Sequence, residues 1–137
     1  MGSEMCIRDS YDQKLAEKAL EYEENNDTVR LGKILGYPGC CISFFSKNEA
    51  TRSKLDNDYI VPMLKNSLLT HYPFFMNILN RNNDYALLSH FPCSLDCMPS
   101  FMIAKSNFDT LQRVDYDASE DFVKNLVGKF NNIEFTY

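Results

Sequence analysis

Five cysteines and two histidines are the side chains here whose types could do metal or thiol chemistry, and four of the cysteines fall into two pairs. Cys40 and Cys41 are adjacent. Cys93 and Cys97 are separated by three residues, and His90 lies three residues before Cys93. The thiolate is the form of cysteine that ligates a metal or attacks a substrate, and a helix N-terminus favours it through the dipole and the unsatisfied N–H groups. Both pairs are expected at helix N-termini. Cys40, Cys41, Cys93, Cys97 and His90 therefore make a candidate ligand set, enough for a closed four-ligand site with one to spare.

Neither pair has the C-x-x-C spacing of a zinc knuckle, and adjacent cysteines rarely both bind one small ion. A cluster accommodates tandem cysteines more readily, because neighbouring thiolates can bind different irons. Zinc and an iron–sulfur cluster are both retained as cofactors. Two further readings stay open beside the metal site. Either Cys93 or Cys97 could act as a nucleophile or redox thiol with His90 as base, making the chain a cysteine-dependent enzyme. Alternatively the cysteines simply pack in the core of a helical interaction module, as the flanking Ile42, Phe44, Phe45, Phe91 and Met98 would allow. Whether the protein is an enzyme is left undecided by its residues.

Cys6 belongs to a different segment. The string MGSEMCIRDS, residues 1–10, matches the in-frame translation of a transposon-type library adapter and is read as a non-native leader. Setting it aside takes Lys plus Arg from 14 to 13 and Asp plus Glu from 19 to 17, and leaves four cysteines. The native N-terminus is then missing, and the chain is expected to be a fragment of a longer prokaryotic or viral protein. Residues 11–137 are expected to form a single domain, truncated at the N-terminus, with truncation at the C-terminus also open. Its mildly acidic balance argues against a dedicated nucleic-acid surface. The longest uncharged stretch, Asn66 to Asn80, is broken by His71 and Pro73 and is too short to span a bilayer. No membrane association is expected, and the cytoplasm is the expected compartment. No protein partner or small molecule can be named.

The elements that must position the cysteines are mostly helical. Leu15, Ala16, Ala19 and Leu20 form a stripe within Asp12–Glu24. Asp27 caps a second helix running to Leu35, with Gly36 and Pro38 as its stop. Cys40 and Cys41 then fall in the first turn of a third helix, where Cys41 and Phe45 share a face. A polar stretch, Asn48 to Asp58, reads as helix end and loop. Ile60, Met63, Leu64 and Leu68 mark a helix within Tyr59–Leu69, with Pro62 tolerable only near its start. Pro73 opens a short helix, Phe74 to Leu79, and residues 80–84 are a loop.

Pro99 restricts the next helix to a start between Ser94 and Met98, with Ser94 or Asp96 as cap and Phe101, Ala104, Phe108 and Leu111 on its buried stripe. The acidic run Asp115 to Asp121 reads as a solvated loop before a last helix carrying Phe122, Leu126 and Phe130 on one face. Ile133, Phe135 and Tyr137 alternate like an edge strand. The expected fold class is mainly α, a compact helical domain with a short C-terminal strand or hairpin at most. His71 is read as a loop or cap histidine, and the pairs Phe44-Phe45 and Phe74-Phe75 as core.

The motifs Gly36-Tyr37-Pro38-x-Cys40-Cys41-x-x-Phe44-Phe45 and His90-Phe91-Pro92-Cys93-Ser94-x-x-Cys97 together resemble the pattern of a prokaryotic family, domain-of-unknown-function family 483 or a close relative. They bracket positions 36–97, under half of the chain. The resemblance implies that the four cysteines act together, and it brings no reaction with it.

Overall fold

The computed structural model describes residues 13–49 and 59–137. The leader, Tyr11, Asp12 and most of the polar stretch Asn48 to Asp58, from residue 50 onward, lie outside the described residues. The chain divides into two compact units, with the boundary between residues 57 and 58. Six α-helices and a three-stranded sheet are found among the described residues, so the mainly α expectation holds while the sheet exceeds a hairpin.

The first unit is helical. Helix α1, Gln13–Glu24, carries the expected stripe, yet only Ala19 is buried and Leu15 and Leu20 stay exposed. Its end is closed by Asn26 in the left-handed region (φ 54°), with the Asp27 N–H donating to the Tyr22 carbonyl and the Asn26 N–H to that of Glu23. These paired backward bonds satisfy carbonyls that a helix end otherwise leaves open. Asp27 then caps helix α2, Thr28–Ile34, by accepting from the Arg30 N–H at 3.2 Å. The same closing device recurs at Gly36 (φ 77°), where the Tyr37 N–H donates to the Gly32 carbonyl and the Gly36 N–H to Lys33. Glycine takes this conformation without the steric cost a Cβ would bring. Helix α3, Gly39–Asn48, follows directly and buries Cys41, Ile42 and Phe44.

Gly32 on α2 faces Ile42 on α3 at close range. A Cβ added there would stand 2.9 Å from Cγ1 of Ile42, well inside van der Waals contact. Alanine would gain up to about 1 kcal/mol of helix propensity, but overpacking against a buried neighbour costs about 1–3 kcal/mol. Gly32→Ala is therefore expected to lower stability by about 1 kcal/mol in urea unfolding. Combining it with Ile42→Ala removes the overlap, so the two changes should be clearly non-additive.

The first described residues of the second unit are the fully buried Tyr59 and helix α4, Ile60–Asn66, in which Pro62 sits in the first turn, where its missing N–H costs nothing. The helix stops before Leu68, which is 87% exposed rather than part of the buried stripe. Ser67 ends it by turning extended and donating its hydroxyl to the Met63 carbonyl. His71–Pro73 is strand β1 and only Phe74–Met76 is helical, as one 3-10 turn, in place of the helix expected through Leu79. A second 3-10 turn, Arg81–Asn83, lies within the expected loop and closes at Asp84 (φ 66°).

Helix α5, Met98–Val114, and helix α6, Tyr116–Leu126, pack against each other and against the turn at Phe74–Met76. The acidic run is not a loop. Asp115 is the cap of α6, accepting from the Ala118 N–H at 3.0 Å, and the other acids lie within the helix, where a negative charge near the N-terminus is favoured. At the other end of α6, Asn77 and Asn80 donate their side-chain amides to the carbonyls of Leu126 and Asn125. Those bonds stop the helix before Phe130, which instead lies exposed in strand β2, Gly128–Phe130. Strand β3, Ile133–Thr136, is central: β2 pairs with it antiparallel and β1 parallel, in the order β1-β3-β2. Phe135 on this central strand is 1% exposed and faces Tyr72, while Phe74 packs edge-on to Phe108 and stacks on Tyr137. No helix among the described residues is long and apolar enough to cross a membrane.

Candidate metal centre

Cys40 and Cys41 are fixed by the way α3 begins. The closed end of α2 delivers Pro38 as the residue before the helix (φ −58°, ψ 142°), and its carbonyl accepts from the N–H groups of Cys41 and Ile42. No side chain caps this end. Both cysteines lie in the first turn, as expected. Cys40 is exposed, Cys41 is buried, and their Sγ atoms are 3.9 Å apart.

Cys93 and Cys97 lie in a segment without regular structure that the end of α4 holds in place. Asn66 donates its amide to the Cys93 carbonyl at 3.0 Å, and the Leu95 N–H donates to the Ser67 hydroxyl at 2.9 Å. One carboxylate oxygen of Asp96 accepts both the Leu68 N–H, at 2.7 Å, and the Tyr72 hydroxyl, at 3.1 Å. Pro92 is buried beside them, and Phe91 packs against Tyr59 with Arg81 over its ring. Cys97 closes the turn by donating its N–H to the Ser94 carbonyl, then serves as the residue that starts α5, with Pro99 in the first turn.

The expected caps Ser94 and Asp96 are thus used otherwise. The Ser94 hydroxyl accepts from the Asp96 N–H, and the Asp96 carboxylate is turned back toward α4 and Tyr72. Only Cys97 of this pair stands at a helix N-terminus; Cys93 precedes it in the turn.

Cys40, Cys41, Cys93 and Cys97 each offer one sulfur and make up a group that could hold a metal ion. His90 is not a member of this group. Its Nε2 is 2.8 Å from the Ser100 hydroxyl, which is fully buried in the first turn of α5. Burial lowers the His90 pKa to about 4, against an opposing pull from the nearby Cys97. His90 is therefore neutral at pH 7.

Sequence spacing does not point to Ser100, Asn66, Ser67 or Asp96 as supports of the site. Serine in a first helical turn usually reads as a cap residue and asparagine near a helix end as a stop signal, so none carries a metal-site signature. His71, read as a non-ligand, pairs instead with Glu134 across β1 and β3 at 3.0 Å on the exposed sheet surface.

A family model described as a protein of unknown function (DUF483) matches residues 3–127. No curated protein and no solved structure matches the chain.

Proposed function

The chain belongs to the DUF483 family, whose description brings no reaction, and from its own residues we propose that it is a metal-binding protein in which Cys40, Cys41, Cys93 and Cys97 hold a single zinc ion. What supports this is that these four cysteines make up a group that could hold a metal ion, two of them offering their sulfurs side by side from the first turn of α3. Zn–S bonds of ~2.3 Å in a tetrahedron place thiolate sulfurs ~3.8 Å apart. The 3.9 Å between the Cys40 and Cys41 sulfurs fits that value. In an iron–sulfur cluster, thiolates on different irons stand ~6 Å apart across the inorganic core, wider than the Cys40–Cys41 pair. The spacing thus favours one ion over the cluster that tandem cysteines alone would suggest.

The set is closed: four thiolates leave no open position for substrate or water, which is the form of a structural site rather than a catalytic one. His90 then acts from outside the set, as a neutral side chain held by Ser100 near Cys97. The nucleophile reading gains less from the geometry. A general base works best with a pKa near the operating pH, and an imidazole with a pKa of about 4 takes up a proton poorly at pH 7. We further propose that the protein works in the cytoplasm.

The test is anaerobic purification followed by metal analysis and an absorption spectrum. One zinc per chain and a colourless protein are expected. Absorption near ~400 nm with bound iron would replace the ion by a cluster. Metal-free protein with four titratable thiols would sink both.

A further inference from the structure

Resting on the tetrathiolate reading above, we infer that Cys40 is a modification site for peroxide-class oxidants, the one sulfur through which the centre opens and releases its ion. The four cysteines are not equivalent. Cys41 and Cys97 are 2% and 6% exposed and Cys93 is half-buried, whereas Cys40 is exposed at the start of α3. Reactivity of a thiolate toward an oxidant follows its charge and its access to solvent. A bound ion keeps all four sulfurs as thiolates, so access is what separates them, and access singles out Cys40.

A lone pair of the Cys40 sulfur attacks one oxygen of hydrogen peroxide; an S–O bond forms, the O–O bond breaks, and hydroxide leaves. The sulfur is oxidised by two electrons to a sulfenic acid, the peroxide is reduced by two, and the sulfur–metal bond is lost. A second thiolate of the group then attacks the sulfenic sulfur, forming an S–S bond and expelling a second hydroxide. Cys41 is poorly placed to be that thiolate despite its short Sγ distance. Adjacent Cα atoms across a trans peptide are ~3.8 Å apart, below the ~4.4–6.8 Å that disulfides prefer. The resolving sulfur is therefore Cys93 or Cys97. With two of four ligands consumed, the ion leaves.

The experiment uses the zinc-loaded full chain, its metal content measured first, then exposed to hydrogen peroxide in the presence of a chromogenic zinc indicator. Samples are quenched with a thiol-alkylating reagent and mapped by peptide mass. Oxidation at Cys40 is expected to lead, at least tenfold faster than first oxidation at Cys41 or Cys97, in phase with zinc release and followed by a disulfide from Cys40 to Cys93 or Cys97. A preparation that holds no zinc before peroxide is added overturns the tetrathiolate reading and this inference with it. A zinc-loaded preparation in which another cysteine oxidises as fast, or zinc leaves before Cys40 changes, overturns this inference alone.

Discussion

Cys40→Ser is expected to strip the ion from the protein and to lower stability by at least about 3 kcal/mol, a fall in Tm of about 10 °C or more for a chain of this size. The position matters more than the substitution. Serine at the buried Cys41 or Cys97 would cost about 1–3 kcal/mol even if those sulfurs merely packed, because a hydroxyl would be buried in place of a thiol. Cys40 is exposed, and exposed substitutions away from special features usually stay within about 0.5 kcal/mol. A ligand role and a packing role therefore diverge most at Cys40. Metal analysis and thermal unfolding of the variant, with and without a chelator, separate them. If Cys40→Ser keeps one zinc per chain and the wild-type Tm, Cys40 is no ligand. If chelator lowers the wild-type Tm to that of the variant and leaves the variant unmoved, the lost stability is the ion's.

The positions of the cysteines are legible in the sequence because their cues are local. Gly36 followed by Pro38 can hardly do anything but end one helix and start another, so Cys40 and Cys41 have to fall in a first turn. Pro99 confines the start of α5 to a few residues for the same reason. What stays hidden depends on partners distant in sequence. Asp96 looks like a cap until the Leu68 N–H and the Tyr72 hydroxyl, more than twenty residues away, claim its carboxylate. The strand His71–Pro73 carries no pattern of its own and exists because Ile133–Thr136 offers it a parallel ladder. An alternating tail ending at Tyr137 looks like an edge and is central for the same reason.

The stripe on α1 shows the opposite failure. Its helix forms with the expected period, but a helical period says which residues share a face, not how deeply each is covered, and Leu15 and Leu20 remain exposed. The acidic run after Asp115 misleads through composition. Charged residues suggest a solvated loop, whereas the first turn of a helix is also a place where carboxylates are stabilised, and Asp115 supplies the cap that starts it.

Acid is expected to weaken the fold through His90. Its folded-state pKa is lowered from 6.5 to about 4 because burial disfavours the imidazolium, with the Cys97 charge only partly offsetting this. Above pH ~6.5 both folded and unfolded chains hold His90 neutral and its contribution is complete. Between there and the folded value the unfolded chain takes up a proton that the folded chain refuses, so stability falls as the pH falls. The loss is finished near pH 4 and amounts to at most about 3 kcal/mol, since each tenfold difference in proton affinity between the two states is worth ~1.4 kcal/mol. Thiolate protonation and loss of the ion also occur in acid, so a bare unfolding curve would mix the two. Comparing wild type with His90→Gln separates them, because both chains carry the same four cysteines and only one carries the imidazole. The stability gap between them is expected to shrink as the pH drops from 7 to 4. A gap that stays constant across that window would mean that His90 is protonated in the folded protein, and that its contact with Ser100 does not depend on a neutral ring. The chain has only two histidines, so the ring resonances of His90 can be followed directly by NMR in the same samples to fix the sign.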